Sequence, residues 1–433
     1  YSTANELNQD IFTLTDNLQI YKGKHTITVG THNEFYKIYN VFIRQNFGTY
    51  RFNSLADFMN NETVASEDYD RSYSAVDNIT GDGTKAAADF SALQLGFYGQ
   101  DEFQVSNQLK LTFGVRLDIP MFLTELNTDQ NFNDVTTPLI EAEGWNMDGA
   151  KAGQMPSAQI MVSPRIGFNW DILGDKSLQL RGGIGIFTSR IPFVWPGASY
   201  NNNGLTLGNV SEGGVMFRPQ WDQQYVKQDF DPTAPDTPSG DMNLFTKSFK
   251  YPQVFRTSLA IDKKLPWGLI GTFEGMFTKN MNNVSYRNYN IKPASSRLTG
   301  TPDNRPIYNR RDPVDGTYGY IMIGDNTSEG YTYNLTLQLQ KAFTRGFSGN
   351  LAYTYGAATS VFDGTSSQNS SQWRYMENVT GRNYVGRTIS DFDMGSRVLA
   401  YLSYRIEYLN HAATTISLFY NGQSGKRFSY LYK

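Results

Sequence analysis

The sequence predicts an all-β fold, an antiparallel transmembrane β-barrel wall, on three observations. Apolar and polar residues alternate with a period of two in one stretch after another. The connections between these stretches are short and long by turns. Aromatic residues gather toward both ends of the stretches. A period of two gives an extended strand one greasy face and one wet face. Strict short–long order sends every large loop out on one side of a sheet, as in barrels with short periplasmic turns and long external loops. Soluble sandwiches and propellers have no reason to obey that asymmetry.

Taken in chain order, the strands justify themselves by pattern. "LKLTFGVRLDI" sets Leu109, Leu111, Phe113, Val115, Leu117 and Ile119 against Lys110, Thr112, Arg116 and Asp118. "PRIGFNWDI" opposes Ile166, Phe168, Trp170 and Ile172 to Arg165, Asn169 and Asp171. "SLQLRGGIGIF" sets Leu178, Leu180, Ile184 and Ile186 against Gln179 and Arg181, and "RTSLAID" sets Leu259 and Ile261 against Arg256, Ser258 and Asp262. "YTYNLTLQLQK" alternates without error from Tyr331 to Lys341, and "ATTISLFYN" places Ile416, Leu418 and Tyr420 on one side. The whole chain reads as about twelve strands of roughly ten or more residues. Tight connections are expected at Lys22–Lys24, Ser106–Gln108, Leu173–Lys176, Leu265–Gly268, Ala342–Gly346 and Tyr408–His411. Long ones are expected over 40–89, 120–162, 190–250, 291–328 and 357–394, rich in Gly, Asn, Asp, Ser and Pro. Tyr331, Tyr333, Tyr353 and Tyr355 are expected at the loop ends, and Tyr21, Trp170, Trp267 and Tyr404 at the tight-turn ends. Two such girdles are what the two interfaces of a bilayer select.

Composition removes several function classes. Cysteine is absent from the 433 residues, which excludes disulfide scaffolds, thiolate metal sites and cysteine nucleophiles. A formal net charge of -3 leaves no electrostatic footprint for nucleic acid. Three histidines, with His25 and His32 on opposite faces of one strand and His411 in a tight turn, form neither a catalytic triad nor a metal cluster. No catalytic residue, metal site or cofactor is therefore expected. No apolar run is long enough for a transmembrane helix. Tyr1 opens almost directly into patterned strand and "KRFSYLYK" stops inside another, so the chain reads as an internal segment of a longer barrel domain.

Four stretches resemble the barrel of TonB-dependent outer-membrane receptors, and within them the Oar-like branch of Bacteroidota. They are "GKHTITVGTHNEFYKIYNVFIRQNFGTYRF" (Gly23 to Phe52), "FYGQDEFQVSNQLKLTFGVRLDIPMF" (Phe97 to Phe122), "SPRIGFNWDILGDKSLQLRGGIGIFTSRIPFVW" (Ser163 to Trp195) and "SDFDMGSRVLAYLSYRIEY" (Ser390 to Tyr408). The third is the most specific. The resemblance implies a barrel of about 22 strands in the outer membrane of a Gram-negative bacterium, filled by its own plug domain. It also implies a TonB box that engages an energy-coupling complex, and it leaves room for a surface lipoprotein partner. By this reading the plug, the TonB box and the C-terminal strands are not in these residues, and about half a barrel is.

The expected function is the wall of a transporter or receptor for a bulky solute: an oligopeptide, a glycan or a protein. The alternative is a structural, adhesion or secretion-associated barrel without energy-coupled import. Lys110, Arg116, Asp118, Arg165, Asp171, Arg181, Arg256, Asp262 and Glu274 are expected on the lumenal face, most of all against a plug. Gly183 and Gly185 on that face leave room for something inside the barrel or mark a strand bend. "TSRIPFVWPGASYNNNG" offers Arg190, Phe193, Trp195, Tyr200, Asn201 and Asn202 as substrate contacts, since aromatic and amide groups together suit sugar rings or peptide backbones. The competing expectation is that Ile191 to Trp195 packs the loop base onto the rim. Asp222, Asp229, Asp231, Asp236 and Asp241 could supply oxygen ligands to calcium, but they fit no EF-hand spacing, and an ordinary solvated loop is favoured.

Overall fold

The computed structural model describes residues 4–65, 67–77, 83–233, 240–300, 304–309, 312–376, 378, 381–384, 386–409 and 411–428. Twelve long strands follow one another as a single antiparallel meander. They are β1 (Ala4–Lys22), β2 (His25–Ile43), β3 (Ala88–Gln104), β4 (Leu109–Phe122), β5 (Met161–Asp171) and β6 (Leu178–Thr188). The second half comprises β7 (Gln253–Leu265), β8 (Leu269–Asn288), β9 (Tyr331–Thr344), β10 (Phe347–Ser360), β11 (Ser396–Leu409) and β12 (Ala412–Gln423). Among the described residues β1 and β12 do not pair with each other, so the wall is an open sheet.

The tight connections fall where the pattern puts them. Gly23 turns between β1 and β2 at φ +60°, a conformation glycine adopts without a Cβ penalty. The turn between β9 and β10 narrows to Arg345 and Gly346, both at positive φ. The five long connections, 44–87, 123–160, 189–252, 289–330 and 361–395, all leave the other end of the sheet. Strands β1, β2 and β8 have 19, 19 and 20 residues. A membrane crossing needs only about 9–11, so their loop ends stand above the bilayer.

Register settles the faces. Leu337 lies opposite Phe273 of β8 and Tyr353 of β10, whereas Thr336 lies opposite Glu274 and Thr354. Leu335, Leu337 and Leu339 are 45, 59 and 40% exposed. Among the described residues no second protein layer covers them, which is the condition for a lipid-facing surface.

Two aromatics depart from the girdle expectation. Tyr21 pairs with Thr26 and donates its hydroxyl to Gln19, on the polar face, because strand parity at β1 turns it inward. Tyr353 is level with Leu337, well inside the apolar band, because β10 runs on to Ser360. Tyr331, Tyr333 and Tyr355 keep near the loop end, where the Tyr333 and Tyr355 rings lie 6.3 Å apart.

The buried core lies in the loops and at the loop ends of the strands they cover, such as Ile38 and Ile43 of β2 and Phe90 of β3, rather than in the rest of the sheet. A single-layer wall has nothing to bury its side chains against, whereas loops this long must satisfy their own backbone and hide their own apolar residues. The loop strand Met242–Phe245 runs parallel to Ile321–Thr327, which in turn pairs with Asn283–Asn288 at the end of β8. Around it Phe132, Ile140, Met242, Leu244, Ile321 and Ile323 form a closed cluster drawn from three loops. A second small sheet joins Thr49–Tyr50, Tyr69–Ser74 and Leu207–Glu212.

Candidate functional site

The nine charged residues expected on the polar face share one face by register. Most of them are engaged with the wall itself. Arg116 clasps Asp118 through Nε and a terminal nitrogen at 2.8–3.0 Å, and Gln94 adds a bond to the same carboxylate at 3.3 Å. Arg181 bridges Asp262 at 2.9 Å and Glu274 at 3.0 Å, tying β6 to β7 and β8. Thr272 donates to the other Asp262 oxygen at 2.6 Å. Lys110 pairs with Glu102 at 3.0 Å, Arg256 donates to Thr278, and Asp171 accepts from the backbone N–H groups of Gly174 and Lys176 in its turn.

Arg165 explains part of the glycine content. Its side chain crosses β4 over Gly114 to reach Gln100 of β3 at 2.7 Å. A Cβ at Gly114 would stand 2.9 Å from Arg165 Nε, and one at Gly185 would stand 3.0 Å from Arg165 Cβ. These glycines make room for a neighbouring arginine, a use that neither sequence reading of the glycine cluster included. Gly183 faces backbone, the carbonyl of Ile166, at 3.2 Å.

At its loop end the polar face turns apolar, because a loop folds inward over it. Helix α1 (Val194–Asn201) lies on Tyr36 of β2 and Phe90 of β3. Tyr200 stacks on Phe90 with ring centres 4.4 Å apart, and Phe193 meets Tyr36 at 4.6 Å. The Tyr200 hydroxyl donates to the Thr124 carbonyl, and the Trp195 indole N–H donates to the Ser366 carbonyl. Arg190 binds Glu34 at 2.8 Å. Glu34, unnoticed in the sequence, is a buried carboxylate that also accepts from the Tyr36 hydroxyl at 2.7 Å and lies 3.4 Å from His32. Arg190, Phe193, Trp195 and Tyr200 therefore hold the loop to the rim, as the competing expectation has it for Ile191 to Trp195. Trp195, Tyr200 and Asn201 are buried.

Beside that helix is a cavity of about 230 Å³. Its floor is the polar face of β1 and β2 at Asn5 and Asn40; its walls are Asn201 and Asn202, Asp241 and Asn243, and the segment around Asn369. Asn201 and Asn202 are thus brought together with residues from four other segments. Asp241 accepts from the Tyr320 N–H at 3.0 Å, and burial raises its pKa above the usual carboxylate value. Asn243 and Asn369 each hold a buried amide oxygen without a hydrogen-bond partner. Asn369 is fixed in that orientation because its Nδ2 donates to the Trp195 carbonyl. The sequence signal for Asn243 was faint: one amide inside the apolar run "MNLF".

The other loop carboxylates go elsewhere. Asp229 accepts from the Val226 N–H and faces Arg218 at 3.5 Å, and Asp231 caps Thr233. Asp222 sits exposed in a short helical turn. Asp236 lies outside the described residues. No acidic or histidine cluster suited to a metal ion occurs among the described residues.

The sequence matches a protein-family model described as an outer membrane beta barrel domain over residues 1–422. No curated protein matches it. Among solved structures it is similar to the outer membrane transporter YddB from Escherichia coli, with TM-score 0.48 and 11% identity, covering 96% of this chain and 47% of that one. The copper transporter OprC aligns with TM-score 0.46 and 10% identity over 92% of this chain and 41% of its own. The ferric enterobactin receptor PfeA from Pseudomonas aeruginosa, in complex with enterobactin, aligns with TM-score 0.46 and 11% identity over 98% and 43%. The chain spans less than half the length of each of these three.

Proposed function

The chain belongs to the outer membrane β-barrel domain family, and on that premise we propose that it is wall of a TonB-dependent transporter or receptor for a bulky solute. It resides in the outer membrane of a Gram-negative cell. The observation that carries the transport reading is the inward fold of the 189–252 loop. It roofs the lumenal face and leaves a cavity there lined by amides and one carboxylate as well as by Leu7, Phe42 and Val194. A barrel made only for adhesion would present its contacts outward, away from the lumen.

In this reading residues 1–433 are an internal segment of the barrel domain, and a plug domain fills the lumen. The wall the plug meets has its charges already paired, Arg116 with Asp118 and Arg181 with Asp262 and Glu274. Plug contact then rests mainly on neutral hydrogen bonds, and the plug can shift without stranding a buried charge. A TonB energy-coupling complex drives that shift, and a surface lipoprotein assists capture. The Oar-like branch is the kinship this reading favours. An oligopeptide, a glycan or a protein is the solute.

The test is uptake by cells that produce the whole protein. Labelled oligopeptides and oligosaccharides should accumulate, and accumulation should stop when a protonophore collapses the proton-motive force. Surface binding that is unchanged by the protonophore, with no accumulation of any solute offered, would establish the non-transport alternative instead.

A further inference from the structure

We propose that the cavity beside α1 is a subsite for a primary ammonium group borne by the solute. The proposal rests on the receptor reading only for what the ammonium is attached to; binding itself requires no transport.

Three features of the lining select that group. Among the described residues Asp241 is the one charged side chain of its lining; Arg44 and Arg374 act on that carboxylate from outside the lining. An anionic group would meet a carboxylate and find no cation in the lining. Two further acceptors, the Asn243 and Asn369 amide oxygens, are buried and unpartnered. A buried acceptor without a donor is costly, so such a pair marks a place where a donor belongs. An ammonium brings three N–H donors and no acceptor, matching two amide oxygens and a carboxylate. Asp241 and Asn243, two apart on an extended segment, project to the same side.

Size supplies a further limit. The cavity is about 230 Å³, below the roughly 300–1,000 Å³ of sites that enclose a whole small ligand. It accepts one group of a larger solute: a lysine side chain or N-terminus of a peptide, or the ring of an amino sugar. Neutral hydroxyls could meet the amide oxygens but would bring no positive charge to Asp241, which Arg44 and Arg374 reach only from outside the cavity lining. The burial that raises the Asp241 pKa disfavours its charged form, and a bound ammonium reverses that penalty.

The test uses the whole detergent-solubilised protein, with binding followed by calorimetry. Probes are a terminally blocked lysine peptide and its Nε-acetyl form, and glucosamine beside glucose. The amine should bind roughly tenfold to a hundredfold tighter than its acetylated or hydroxyl counterpart, the range for a charge-assisted hydrogen bond. Binding by the peptide amine alone identifies a peptide source, and binding by glucosamine alone a sugar source. Asp241→Asn should remove the preference. Ser367→Lys, which adds a cation at the exposed lip of the cavity, should abolish amine binding while the protein keeps its heat-modifiable gel mobility. Equal binding of each pair, preference for the neutral probe, or no binding of any probe would overturn the proposal. Because the readout ignores the proton-motive force, loss of uptake in cells with amine binding intact would fault the transport reading and leave the subsite standing.

Discussion

Tyr200 shows how much of the rim rests on one side chain. Its ring stacks on Phe90 and its hydroxyl serves the Thr124 carbonyl, so it joins α1 to β3 and to the loop after β4. Burial of the phenol pushes its pKa above the ordinary tyrosine value, so it stays a neutral donor throughout the physiological range. Tyr200→Ala should cost about 3–5 kcal/mol in a refolding titration, as for other large aromatic truncations. Tyr200→Phe should cost about 1 kcal/mol, since only the hydrogen bond is lost. Equal effects of the two would show that the stacking contributes nothing. Sequence reasoning could place Tyr200 at a strand's outer end, but not on Phe90, more than a hundred residues away in the chain. Glu34 was hidden for a similar reason: its partners Arg190 and Tyr36 come from a loop and a strand, and only Tyr36 is near in sequence.

At the scale of one strand, β9 states the barrel argument in its simplest form. Leu337 projects to the uncovered apolar face between Phe273 and Tyr353, and Thr336 shares a hydrogen bond with Thr354 at 3.0 Å on the other. Leu337→Arg should destabilise the barrel by about 2–4 kcal/mol if it lies near the bilayer midplane, whereas Thr336→Arg, close to Glu274, should be nearly neutral. Refolding into lipid vesicles measures both, and equal tolerance would remove the lipid-facing assignment. Strand identity was legible here because alternation is local, each residue's face following from its neighbour's. Exact membership of a girdle was not. It depends on strand parity and length: Tyr21 stands at the tight-turn end as expected but on the inward face, and Tyr353 lies mid-strand, as register alone reveals.

For the molecule as a whole, the separation of tight turns from long loops defines an inside and an outside of the cell envelope. The chain has no cysteine, so a single introduced thiol reports its own side. Met59→Cys, in a loop helix where the native residue is 76% exposed, should react with a membrane-impermeant maleimide on intact cells. Trp267→Cys, in the tight turn between β7 and β8, should react only after lysis. Labelling of the second on intact cells would reverse the orientation. The same division accounts for where the core lies. The wall is solvated by lipid on one face, and the apolar residues of the loops gather with one another.

What the sequence determined by itself was the wall: twelve strands, their two faces, and the side on which the loops emerge. Alternation and turn length are short-range properties, readable from a few adjacent residues. What only the tertiary structure decided was the mouth of the barrel. Its cavity draws on Asn5, Asn40, Asn202, Asn243 and Asn369, five separate stretches of chain. No local pattern encodes which loops meet, because that choice is made by the packing of apolar residues such as Phe90, Tyr200 and Met242 across the whole loop layer.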